Sequence, residues 1–355
     1  MKKELLVATA LATSLGIAPA INAASATFSG HLRNGVEGED KDSSSDETYG
    51  ASQQASFAVS VSETTDSGIK ISGSFDLSNE SDGSTDPSGL TLTFTDGSKL
   101  DLVEAGNAYA SQLASVPGTT GEAGVSSGTS NSAPSGLTYA NTSDSVGFEW
   151  HSAADFAGVE GLKAGISASF GDDGDASTTS SSENAYSVGL SYVTTAGDTT
   201  VTVGGGYISA DDSNSSTLND KANSTAVALS AATGNLTVGA GFAGGDHIRS
   251  NPGTTTGDAL EIDDVSVTTL GAKYVSGDLT FAVNRVDGDA DDKAVGSTTD
   301  SSNDAYESTS ASVSYAVAPG VSAIVNFKDS TSTDEGVNTN AKSGSAWYVG
   351  ALISF

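Results

Sequence analysis

The chain has 355 residues, no cysteine and a formal net charge of −31, from 45 acidic and 14 basic side chains. So acidic a surface repels phosphate, which argues against nucleic acid as a partner. Without thiols neither a disulfide framework nor a thiolate metal site can be built, and no apolar run reaches the ~18 residues that a membrane-spanning helix needs.

Lys2 and Lys3 precede an apolar stretch over residues 5–17, followed by Pro19 and small residues up to Ala23. This is the layout of a secretory signal peptide, here assigned to residues 1–23, and the stretch is too short to span a bilayer. Glu4 is unusual in such a region, and with no cysteine after the run no lipid-modified N-terminus is expected. Residues 24–355 are then expected to form one domain.

That domain alternates. Phe28, Gly30, Leu32 and Val36 share one parity; Phe57, Val59 and Val61 follow, then Ile69, Ile71, Phe75 and Leu77. Leu90, Leu92 and Phe94 continue the pattern, then Leu100 and Leu102, Val146, Phe148 and Trp150, and Leu162, Ile166 and Phe170. The second half repeats it from Tyr186 to Tyr192, at Val201, Val227, Leu236, Leu270, Leu279, Val313 and Val321, and in a last strand bearing Trp347, Val349, Ala351, Ile353 and Phe355. A period of two is the mark of a strand with one apolar face, and the runs add up to about sixteen strands. A parity break between Val267 and Leu270 suggests a bulge.

Short links (64–67, 96–98, 195–198, 232–234, 276–277, 318–320) alternate with long ones (37–50, 79–88, 105–144, 171–183, 210–221, 244–262, 287–304, 330–343). Pro87, Pro117, Pro134, Pro252 and Pro319 all fall in links, where a missing N–H costs no ladder bond. Most aromatics lie on the apolar parity, with Tyr49, Tyr109, Tyr139, Phe156, Tyr306 and Tyr348 as exceptions. Long links at one end, short turns at the other and an aromatic at the last position describe an antiparallel transmembrane β-barrel. The rival is a secreted or surface-attached acidic β-protein, an adhesin or calcium-binding module, whose strands would alternate in the same way.

The strand Phe28-Ser29-Gly30-His31-Leu32-Arg33-Asn34-Gly35, the terminal Phe355 and the long third link resemble the general porins of Gram-negative bacteria, in particular those of alphaproteobacteria, over nearly the whole mature chain. The resemblance implies a barrel of about sixteen strands, usually trimeric, whose third long loop (here residues 105–144) folds inward and narrows a pore that passes small hydrophilic solutes and ions by passive diffusion. It also implies an outer-membrane location in contact with lipid and lipopolysaccharide, and a role for Phe355 as part of the signal read by the barrel-assembly machinery.

Parity places Arg33, Lys70, Lys99, Lys163, Lys273 and Lys328 on the lumen face together with Asp76, Asp101 and Glu149. The family sets a cationic wall against an acidic inward loop; Arg33 matches its first-strand arginine best. The loop here offers only Glu122, with Glu104 and Asp144 at its edges, which departs from a strongly acidic tip. Arg285 falls on the lipid parity near an outer strand end, where it could meet a lipopolysaccharide phosphate. Acidic residues crowd the long links, and Asp287, Asp289 and Asp291 have the start of a calcium-loop spacing. Thr298 stands where the bidentate glutamate belongs, so solvated acidic loops are the preferred reading over loop-bound Ca²⁺, and no cofactor is expected. Residues 124–128 fit a nucleophile-elbow pattern and residues 239–244 a dinucleotide pattern, yet neither has the strand-and-helix context its chemistry needs. The histidines His31, His151 and His247 show no metal-ligand spacing. No enzymatic activity is expected. Cation preference is, because most of the carboxylates lie at the expected pore mouth.

Overall fold

A computed structural model describes residues 24–41, 48–78, 85–87, 89–103, 106–118, 146–170, 182–212, 221–250, 259–294, 302–334 and 342–355. Seventeen strand segments form one antiparallel sheet that closes on itself. They are β1 (Ser25–Lys41), β2 (Thr48–Thr64), β3 (Lys70–Ser78), β4 (Thr85–Pro87), β5 (Leu90–Thr93), β6 (Lys99–Leu102), β7 (Val146–His151), β8 (Leu162–Phe170) and β9 (Ser182–Ala196). Then come β10 (Thr199–Asp212), β11 (Lys221–Thr233), β12 (Leu236–Ser250), β13 (Ala259–Ser276), β14 (Leu279–Ala294), β15 (Ser302–Ala318), β16 (Val321–Asp334) and β17 (Lys342–Ser354). β4 and β5 both pair with β3, at its two ends, and together make one interrupted strand. The barrel therefore has sixteen strands.

Closure is made by β1 and β17, in register from His31 opposite Ser354 to Lys41 opposite Gly344. Phe355 extends the ladder by one exchange, donating its N–H to the Gly30 carbonyl at 3.1 Å and accepting from the Gly30 N–H at 2.9 Å. Its ring lies over Gly30, where a Cβ would come within 2.8 Å of it, and 6.5 Å from Phe57, which stacks at 5.9 Å on Phe28.

The apolar parity faces outward all around the sheet: Leu32, Val36, Phe75, Ile166, Leu190, Val227, Phe242, Leu270, Phe281, Val325 and Ile353 are all exposed. The opposite parity is enclosed and consists largely of serine, glycine, alanine and asparagine, as in Ser308, Ser310, Ser312 and Ser314 of β15. A water-soluble sandwich would bury the first set and expose the second. Here hydrocarbon covers the apolar face, and closure leaves every strand paired on both sides.

Several sequence expectations need correction. Strands continue well into the links expected at 37–50, 210–221, 244–262, 287–304 and 330–343, because backbone pairing persists beyond the membrane without needing apolar side chains. Tyr49 consequently lies on the outward face of β2, its ring 6.1 Å from Trp347. Pro87 ends the short β4 and so is not confined to a link. There is no bulge between Val267 and Leu270; the register shift lies between Asp263 and Ser266, and Val265 and Val267 are apolar residues of the inner wall. Residues 1–23, Glu104, Glu122, Tyr139, Asp144 and Asp172, Asp173 and Asp175 lie outside the described residues.

Candidate functional site: the inward loop and the inner wall

The third long link does not stay above the barrel. Its first part forms a one-turn helix, α1 (Ala108–Ser111), capped by the Asn107 side chain, which accepts from the Ala110 N–H at 2.9 Å. Ala108 and Tyr109 are fully enclosed, and the helix packs on β8, β9 and β10. Chain beyond it runs along the inner wall as far as β13.

Glycines open the path. A Cβ at Gly189 would stand 2.1 Å from the Ala108 carbonyl oxygen, at Gly204 2.1 Å from that of Gln112, and at Gly271 1.9 Å from that of Pro117. Only a wall without side chains lets the loop backbone lie directly on it.

One transverse row of the wall makes the polar contacts. In cross-strand register it reads Ser72, Thr91, Asp101, Glu149, Ser167, Ser187, Ile208, Ser224. Ser167 Oγ accepts from the Ala108 N–H at 3.2 Å, Ser187 Oγ accepts from the Tyr109 N–H at 3.1 Å, and the Tyr109 hydroxyl meets Ser224 Oγ at 2.8 Å. These bonds satisfy the orphan donors at a helix start. Tyr109 also packs on Ile208 and Ala226, beside Leu113, Ala185 and Ala243. Ser111 Oγ donates to Glu149, and Ser191 Oγ donates to Gln112 Oε1 at 2.9 Å. Hydroxyls and an apolar patch thus hold the loop against β8–β11.

The same row carries Asp101 and Glu149, paired across β6 and β7. Asp101 Oδ2 lies 2.9 Å from His151 Nε2, and Glu149 Oε1 lies 3.6 Å from it. Thr91 Oγ1 donates to the other Asp101 oxygen. Glu149 is 3% exposed, covered by Gly106 and Ser111.

The sequence-predicted cations are arranged differently. Lys70 and Lys99 occupy one row with Thr93 and His151, a step nearer the short turns than Asp101. Lys163 and Lys273 also stand close to short turns, at Gly161 and Gly277. Arg33 is buried, with Gln54 and Leu352 as register partners. Asp76 is exposed on β3, with Ala58 of β2 and Asp86 of β4 as its register partners, four residues beyond Ser72 and away from the short turn. Lys328 stands apart, in the row of Ala346 and Glu39 toward the long links. Four of the lumen cations therefore lie toward the short-turn end, and the wall residues that meet the loop are Glu149 and hydroxyls.

Asp287, Asp289 and Asp291 do not sit in a loop. They lie at alternate positions of β14, so their Cα atoms are about 6.6 Å apart, and an extended strand does not gather them around one ion. Asp287 is held by Arg285 at 2.6 and 2.9 Å, and Arg285 also meets Glu307 at 3.1 Å. Arg285 is outward as expected, with its charge taken up by these carboxylates.

A barrel of sixteen strands with its third long link folded onto the inner wall matches a known architecture, and the family profile described as Gram-negative porin fits residues 7–342. This chain belongs to the Gram-negative porins. No curated protein sequence matches it. Among solved structures it is similar to a porin refined at 1.8 Å (20% identity, 93% of this chain and 100% of that one, TM-score 0.58). It is similar also to OmpT of Vibrio cholerae in its trimer form (14%, 94% and 100%, TM-score 0.58) and to an anion-selective porin from Comamonas acidovorans (12%, 94% and 100%, TM-score 0.58). At these identities the likeness is one of fold. Family and barrel place this porin in the bacterial outer membrane as a channel protein.

Sequence reasoning missed the seat of the loop. Tyr109 stood out as an aromatic off the apolar parity, but Ser167, Ser187 and Ser224 are three among many serines. His151 lies two residues from Glu149 and so shares its face; only strand register adds Asp101.

Proposed function

We propose that this porin forms a water-filled pore for passive diffusion of small hydrophilic solutes and ions, and that it prefers cations. The observation that carries the preference is the axial order of charge. Glu37 and Glu39 lie on the lumen parity of β1 toward the long links, where Lys328 shares the Glu39 row; Asp101 and Glu149 stand at the level of the inward loop, and Lys70, Lys99, Lys163 and Lys273 come last, toward the short turns. An ion entering from the long-link side passes Glu37, Glu39, Asp101 and Glu149 before the four lysines near the short turns, with Lys328 alone among the first carboxylates, in a chain whose net charge is −31. Such a mouth concentrates cations. The effect is strongest in dilute salt, where the Debye length is about 30 Å at 0.01 M against about 8 Å at 0.15 M.

A reversal potential across a planar bilayer under a KCl gradient tests this. Potassium preference that grows as salt is diluted is the expected result; chloride preference in dilute salt would assign control to the lysines. We further propose that the chain is exported by residues 1–23, assembles as a trimer, and presents Phe355 to the barrel-assembly machinery. The closing exchange between Phe355 and Gly30 supports the last role, because the residue that would be recognised is also the one that completes the ladder.

A further inference from the structure

We propose that Asp101, Glu149 and His151 form a binding site for a divalent transition-metal ion on the lumen wall beneath the inward loop. Each contributes one ligand atom, and the three atoms all lie within 4.8 Å of one another. Tetrahedral coordination with metal–ligand bonds of 2.0–2.1 Å puts donor atoms about 3.3 Å apart. The observed separations of 2.9 Å and 3.6 Å from His151 Nε2 to Asp101 Oδ2 and Glu149 Oε1 bracket that value, and the two carboxylates, whose ligand atoms lie within 4.8 Å of each other, would close on the ion from either side.

The chemistry selects the class of ion. Calcium and magnesium ask for six or more oxygens, whereas this site offers two carboxylates and one imidazole nitrogen, a set suited to Zn²⁺, Co²⁺ or Cu²⁺. Two carboxylates need two positive charges nearby. Among the described residues the only group within ion-pairing distance of either is the His151 ring itself. Lys99, on the same face of β6, opposes binding through its charge.

The surroundings already orient the ligands. Thr91 donates to the Asp101 oxygen that faces away from His151, leaving Oδ2 turned toward the ring. Ser111 donates to Glu149, which ties the second ligand to the loop. Outer hydrogen bonds of this kind fix ligand geometry. Ionised carboxylates can only accept, so the hydrogen between His151 and Asp101 belongs to Nε2. On binding, the Nε2 proton is lost to solvent while Nδ1 carries the ring's one remaining proton, so a neutral imidazole gives its Nε2 lone pair to the metal. His151 and Asp101 are 23% and 26% exposed, so an ion in the pore can reach them.

The probe is Co²⁺, titrated into the detergent-solubilised, folded barrel and followed by its visible d–d absorption. One ion per chain is expected, with affinity weakened at least about tenfold in His151→Ala and in Asp101→Asn. Excess Ca²⁺ should leave the signal unchanged. Absence of Co²⁺ binding, binding unaltered by both substitutions, or displacement by Ca²⁺, which would move the ion to the acidic outer segments, would each overturn the proposal. If His151→Ala does not fold, Asp101→Asn and the nitrogen hyperfine pattern of Cu²⁺ bound to the unaltered protein decide the matter. The readout is binding in detergent, so it stands or falls independently of the ion preference of the pore.

Discussion

Tyr109, on the inward loop, and Ser224, on the barrel wall 115 positions later, meet hydroxyl to hydroxyl at 2.8 Å, with the tyrosine 4% exposed. This bond closes a set of contacts that turns a surface link into a fixture of the pore. Removing it alone by Tyr109→Phe should weaken loop docking by about 1 kcal/mol, while Ser224 keeps its donation to the Gly244 carbonyl at 3.4 Å. Tyr109→Ala, which also empties the packing against Ile208 and Ala226, should cost more. Single-channel recordings check this: frequent conductance steps in Tyr109→Ala, few in Tyr109→Phe.

Alkaline pH should release the same loop. Burial raises the Tyr109 phenol above its ordinary value of 10.0, and the bond from Ser224 only partly offsets this. Once the pH passes that ordinary value, an undocked tyrosine loses its proton before a docked one does. Docking is therefore fully favoured below pH ~10 and is lost as pH rises through the raised value. Conductance measured from pH 8 to 11 should become noisy at the top of the range, and Tyr109→Phe should remove that dependence.

Gly189→Val tests the glycine path. A side chain there would strike the Ala108 carbonyl oxygen, so the loop must leave the wall. The barrel ladder does not depend on Gly189 in particular, and heat-modifiable migration on a gel should persist. Conductance should rise, because the displaced segment no longer fills part of the lumen.

Deleting Phe355 should impair membrane assembly more than it impairs the stability of barrels that do form. The deletion removes two terminal ladder bonds and the ring over Gly30 and beside Phe57, a small part of the β1–β17 seam. Comparing the yield of folded protein in membranes with the unfolding midpoint of that folded fraction separates the two effects. Equal yield from the shortened chain would contradict the role proposed for this residue.

Asp101→Asn combined with Glu149→Gln should lower potassium preference in dilute salt. Both carboxylates stand at the level of the loop, so neutralising them leaves the lysines toward the short turns as the nearest wall charges. An unchanged reversal potential would assign selectivity to the outer acidic segments.

The alternation of Phe28, Leu32 and Val36, repeated through to Ile353, pointed to the barrel only together with the short and long links and the aromatic at Phe355. A period of two is local, and so is the contrast between short turns and long links; neither needs knowledge of which strand neighbours which. The length of residues 105–144 likewise marked the special loop. Where that loop rests was decided by the closed sheet. Tyr109 and Ser224, like Asp101 and Glu149, are neighbours only through cross-strand register, which follows from the cumulative pairing of many strands and leaves no trace at either position alone. The same holds for the lysines: parity gives their face, but height along the barrel comes from register. It explains His151 too, whose two carboxylate partners include one fifty residues away that no ligand spacing in the chain would have selected.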